Sequence, residues 1–128
     1  MKFEQKNPPR TFVVGNKTRF EIKDCGTLKL QADEQVTLLT DSGAEYDVTR
    51  KEWGFYATPS LNSRLASFSL RAVLIRNITS GHYFILLVER DRELAFEGYM
   101  ELEGLEIISW LDDKEALDSI KDKMRGSE

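Results

Sequence analysis

Between Phe12 and Ala57 the sequence keeps returning to one unit, a few β-favouring residues closed by turn residues, at a spacing of roughly ten. Phe12-Val13-Val14 stops at Gly15-Asn16. In Arg19-Phe20-Glu21-Ile22-Lys23 apolar and charged residues alternate, the pattern of a strand with one wet face. Cys25-Gly26 is expected to break that strand before Thr27–Leu30 resumes it. Val36–Thr40 ends at Asp41-Ser42-Gly43, a strong turn composition. Tyr46–Thr49 and then Trp53–Ala57 complete a meander. Short strands separated by turn signals at this spacing are expected to pair in a small sandwich or barrel. The first ten residues, with Pro8-Pro9, read as an extended arm, because neither proline can donate to a ladder.

The second half changes character. Phe68–Ile75 and His82–Glu89 form a hairpin about the turn at 77–81. The second of these strands, with its apolar run Phe84–Val88, reads as buried on both faces and hence central. Asp91 is placed to N-cap a helix beginning at Arg92, with Leu94, Ala95, Phe96, Tyr99 and Leu102 as its inward stripe and Gly104 as its C-cap. A strand over 105–111 follows, expected to run parallel to 82–89. Asp112 with Glu115 then opens a last helix whose apolar face is Ala116, Leu117, Ile120 and Met124. The expected fold class is α+β: a mostly antiparallel, curved β-sheet or partial barrel in the N-terminal two thirds, followed by a strand-helix-strand-helix part. Residues 1–10 form the arm and 11–128 one domain, with a possible change of subdomain near 66.

Charge is unevenly spread. The net charge of −4 argues against a dedicated nucleic-acid-binding domain, so a nucleic-acid partner is not expected. Residues 91–128 carry 5 Lys/Arg and 12 Asp/Glu, whereas 50–76 carry five basic residues and one acidic. A basic middle and an acidic tail can attract each other within one molecule or between two copies. The longest apolar run has five residues, far too short to span a bilayer, and MKFEQKNPPR contains no apolar stretch of the signal-peptide kind; a cytoplasmic protein with no membrane partner is the expectation.

Several chemistries lack their residues. Cys25 and His82, the only cysteine and histidine, lie far apart on different elements, and one of each cannot build a structural zinc site. Asp41, Glu45 and Asp47 surround one turn without the ligand spacing of a calcium loop, and Glu93, Glu97 and Glu101 read as the wet face of a helix. No phosphate-binding glycine loop and no G-x-S-x-G occurs, so no catalytic residue, metal or cofactor is assigned.

The segment Lys51-Glu52-Trp53-Gly54-Phe55-Tyr56-Ala57-Thr58-Pro59-Ser60-Leu61-Asn62-Ser63-Arg64-Leu65 concentrates three aromatics, an asparagine and two cations. Trp53 and Tyr56 offer faces for stacking on a sugar or base, Arg64 a planar fork for an anion, and Asn62 and Ser60 hydrogen bonds toward hydroxyls. Strand alternation equally requires Phe55 and one of Trp53 or Tyr56 to point inward. The block KEWGFYATPSLNSRL resembles one found in small uncharacterised bacterial cytoplasmic proteins; that resemblance implies a bacterial origin and carries no activity.

The leading expectation is a non-catalytic binding module or accessory subunit for a small anionic or hydroxylated ligand, such as a sugar nucleotide or saccharide, held by Trp53, Tyr56, Asn62, Arg64 and Arg71. The alternative is a protein–protein interaction domain, most naturally a homodimer, since Trp, Tyr and Arg are also the residues of such contacts. A small enzyme using Asp47 or Glu52 as general base beside Arg64, and a single-stranded nucleic-acid binder, rank below both.

Overall fold

The structure of the protein, a computed structural model, describes residues 1–15, 19–56 and 59–126. The Asn16 position of the first expected turn, and Ala57 and Thr58 of the aromatic segment, lie outside the described residues. The fold is α+β, built from antiparallel sheets that do not close, with helices toward the C-terminus.

The eight strands are divided among three sheets. β1 (Lys2–Val14) and β2 (Phe20–Lys29) form a long two-stranded ribbon. The arm expected at residues 1–10 is therefore extended but laddered. Pairing skips from Gln5 to Arg10, so Pro8 and Pro9 sit in the interruption, where no ladder N–H is needed. Nor do Cys25 and Gly26 break β2. Gly26 pairs with Gln5, and a Cβ there would come 2.6 Å from the Glu4 carbonyl oxygen, so glycine allows the two strands to approach. The ribbon has two unlike faces. Phe3, Phe12, Val14, Phe20, Ile22 and Leu28 share one, and the opposite face carries Lys2, Glu4, Thr11, Lys23 and Lys29. It touches the rest at its ends, through the Met1 ammonium 2.9 Å from the Glu34 carboxylate and the Phe20 ring 6.2 Å from that of Tyr99.

The second sheet runs β3 (Gln35–Leu39), β4 (Glu45–Lys51), β5 (Gly54–Tyr56). Its register puts Gln35, Thr37, Asp47, Thr49 and Tyr56 on one polar face and Val36, Leu38, Tyr46, Val48 and Phe55 on the other. A short helix, α1 (Arg64–Ser67), interrupts what the sequence reads as a polar loop, and its Leu65 is fully buried.

In the third sheet β6 (Leu70–Asn77) lies between β7 (Tyr83–Glu89) and β8 (Leu105–Trp110). β7 is thus an edge strand, not the central one its apolar run suggests. The residues that are buried on both faces are those of β6: Leu70, Ala72, Val73 and Ile75. β7 and β8 do run in the same direction, each antiparallel to the β6 strand between them. One face of this sheet packs Val73, Ile75 and Val88 against Met100 and Phe96 of α2 (Glu93–Glu103). The other packs Leu70, Ala72 and Leu87 against Leu65, Ala44 and Tyr46.

The helices correct three expectations. The N-cap of α2 is Arg92, not Asp91, and no side chain caps it; the first turn is instead held by Glu93, whose carboxylate receives Arg71. The inward residues of α2 are Phe96, Met100 and Glu103; Tyr99 lies toward the β7 edge, while Leu94 and Leu102 are exposed. Gly104 does close the helix in the left-handed conformation. α3 (Lys114–Gly126) is opened by Asp113, whose carboxylate accepts from the Glu115 N–H at 3.0 Å; Asp112 is occupied elsewhere. No residue of α3 is fully buried: along the stripe, Ala116 and Leu117 are half-buried, and Ile120 and Met124 are exposed.

Arg71, on β6, ties these elements together. Its guanidinium donates to both Asp112 oxygens, at 2.7 and 3.3 Å, and to Glu93 at 2.8 Å, and it lies 3.9 Å over the Trp110 ring. The Asp112 hydrogen bonds, and then those of Glu93, hold it still more firmly charged than an ordinary arginine. Replacing Arg71 with Ala leaves Asp112, only 11% exposed, without its counter-ion. The expected loss in urea unfolding is roughly 2–4 kcal/mol, below the value for a fully buried pair because the site is partly wet. Arg71→Lys retains the charge but not the fork and falls between.

Candidate functional site

The polar face of the second sheet carries the one constellation that joins several of the expected binding residues. Asp47 projects from the middle of β4, almost buried. Its Oδ2 accepts from Arg64 Nε at 3.1 Å and Nη2 at 2.8 Å, and its Oδ1 accepts from the Thr37 hydroxyl at 2.8 Å. Beside it the Thr49 hydroxyl donates to Gln35 at 2.8 Å. Gln35, Asp47, Thr49 and Arg64, with Tyr56 and Pro59, line a crevice of about 160 Å³. That is below the range of roughly 300 Å³ and upward usual for small-molecule pockets.

Arg64 reaches Asp47 because α1 begins there. The Arg64 backbone N–H donates to the Ser60 hydroxyl at 2.8 Å and the Leu65 N–H to the Ser60 carbonyl at 3.1 Å; Leu65 then anchors the turn in the core. The guanidinium also lies 4.7 Å over the Phe68 ring. Ser60 is therefore used to shape the turn, and Asn62 is an exposed residue on its outside.

Trp53 occupies the tight turn between β4 and β5 and Tyr56 ends β5. Their rings meet edge to face at 5.6 Å, with Trp53 70% and Tyr56 54% exposed. Phe55 is exposed as well, so none of the three aromatics enters the core; the sheet is only three strands wide, and no layer packs over this end. The structure thus gathers Tyr56 and Arg64 at one crevice, sets Trp53 beside Tyr56 and leaves Asn62 on the nearby surface. Arg71 is a separate case, committed to Asp112, Glu93 and Trp110 in the third sheet. Gln35, Asp47 and Thr49 also line the crevice. Their shared parity along β3 and β4 is in the sequence, but which arginine meets Asp47 depends on the turn at 59–63.

Arg64, then Thr37, holds the Asp47 carboxyl below the usual carboxylate range. A carboxylate so stabilised is a poor proton acceptor at neutral pH, where a general base works best with a raised value. Glu52 sits in the exposed turn beside Trp53. Cys25, exposed on β2, and His82, before β7, belong to different sheets. Among the described residues, no group of three or more His, Cys, Asp or Glu is placed to hold a metal ion, and no helix is long and apolar enough to cross a membrane.

Comparison with known protein families, with curated proteins and with solved structures gives no match.

Because the folded pKa of Asp47 lies below its unfolded value, the Asp47–Arg64 pair stabilises the fold above the unfolded carboxylate pKa. That contribution is lost as pH falls through the folded value. Urea midpoints of the wild type and Asp47→Asn, compared across pH, are expected to differ most above the unfolded carboxylate pKa of about 3.9 and to converge as pH falls below it.

Proposed function

We propose that the chain is a protein–protein interaction module that works as a homo-oligomer, binding rather than catalysing. The observation that carries this reading is surface area. The chain exposes 9418 Å², whereas a folded monomer of 14.7 kDa is expected to expose about 6,900 Å². The excess, about 2,500 Å², is of the size that obligate subunits bury at their contacts. The apolar surface left exposed includes one face of the β1–β2 ribbon and the part of the third sheet around Tyr83 and Ile85. A two-stranded ribbon alone is marginal in water, and one with six large apolar residues on a single face gains stability when another surface covers it. Light scattering from about 1 to 200 µM is expected to return at least twice 14.7 kDa. A mass equal to one chain at every concentration would overturn the reading.

A second reading rests on the exposed Trp53–Tyr56 pair at the crevice. Arg64 and Arg71 are each engaged with carboxylates, so an anionic ligand such as a sugar nucleotide would have to displace an ion pair. An uncharged saccharide stacked on the two rings fits better. In a thermal-shift panel of sugars, a ligand at about 100 times its Kd is expected to raise the wild-type midpoint by several degrees, and Trp53→Ala to abolish the shift. No shift with any sugar would remove this second reading.

A further inference from the structure

The interaction reading leaves open where two copies meet, and the inference below rests on it. β7 pairs on one side only, with β6, and its other edge presents a row of backbone N–H and C=O groups with no strand beside it among the described residues. Native edges are normally guarded by lysine, proline, a bulge or a covering loop. Tyr83-Phe84-Ile85-Leu86-Leu87-Val88 contains no lysine, no proline and no bulge in its pairing with β6. Its first three residues are exposed, Ile85 to 58%. An unguarded apolar edge persists where its proper partner covers it.

We propose that β7 pairs antiparallel with β7 of a second copy about a two-fold axis at Leu86, joining two three-stranded sheets into one of six. A two-fold axis normal to the sheet keeps each residue on its own face, so only registers that match even with even and odd with odd are allowed. Pairing about Leu86 sets Leu86 opposite its own copy, Ile85 opposite Leu87, Phe84 opposite Val88 and Tyr83 opposite Glu89. Apolar residues meet apolar ones along the seam, and no two like charges oppose each other.

A groove supports this register. Leu86 and Val88, with Ala95, Phe96 and Tyr99 of α2, line an apolar hollow of about 440 Å³ along the β7 edge. Phe84 projects on the same face as Val88 and α2, because it pairs with Ile75 and Val88 with Arg71. Placed opposite Val88 of the second copy, each Phe84 side chain falls at that copy's hollow. On the other face, each Tyr83 hydroxyl comes to the Glu89 carboxylate of the second copy. Glu89 is fixed for this contact by the hydroxyls of Thr40, at 2.6 Å, and Ser42.

The register makes a charge test possible at Tyr83, an exposed position where either charge leaves the monomer fold intact. Tyr83→Glu sets a carboxylate against Glu89 of the second copy, whereas Tyr83→Lys sets an ammonium there. Light scattering at about 50 µM is expected to give twice the chain mass for the wild type and for Tyr83→Lys, and the mass of one chain for Tyr83→Glu and for Ile85→Lys. Leu94→Lys, at an 84% exposed position on α2, keeps the wild-type mass. Circular dichroism and cooperative unfolding confirm that each variant is folded. A wild type that associates while Tyr83→Glu and Ile85→Lys remain associated overturns the β7 seam and leaves self-association standing. Equal dissociation of Tyr83→Glu and Tyr83→Lys overturns the register, and dissociation of Leu94→Lys moves the contact to α2. A wild type that is monomeric overturns the seam and the interaction reading together.

Discussion

Arg71 is the side chain on which the C-terminal half depends. Its planar fork accepts no proton chemistry and offers five donors, and three of its nitrogens are satisfied by carboxylates of two other elements. Through Glu93 it sets where α2 begins; through Asp112 it sets where β8 ends; through Trp110 it fixes the face of β8 that meets α2. The attraction between a basic middle and an acidic tail is realised here within one chain, with Arg76 to Glu106 at 3.0 Å as a second instance on the same sheet. A pair at this depth repays its desolvation only if its geometry is good, and here the fork is nearly filled.

The Asp47–Arg64 pair does the same on a smaller scale, joining the second sheet to α1 beside the buried Leu65. Both arginines singled out as anion binders are thereby neutralised by the protein itself. The large apolar and aromatic side chains that remain outward include Trp53 and Tyr56 at one corner, the ribbon face and the edge of β7. A surface of that composition favours contact with another surface over capture of a charged small molecule.

Local punctuation was legible in the residues. The turns at 41–43 and 77–81, the alternation of β2, the Gly104 cap and the polar face of β3–β4 follow from rules that act over a few residues. Less legible was burial. The run Phe84–Val88 and the stripe of α3 have the composition of core elements, yet β7 is an edge and α3 has no fully buried residue, because hydrophobicity says that a face is to be buried and not by what. The expected α2 stripe holds at Phe96 but not at Leu94 or Leu102, and Met100 and Glu103 face the sheet in their place.

The sequence by itself determined the α+β class, most of the strands and both long helices, and it singled out the aromatic segment as worth following. These depend on periodicity and turn chemistry, which are local. Only the tertiary structure decided which strand is central, which carboxylate each arginine meets, and that Trp53, Phe55 and Tyr56 are all surface residues. Those outcomes depend on contacts between elements dozens of residues apart, such as Asp47 with Arg64 and Arg71 with Asp112, which no local pattern encodes.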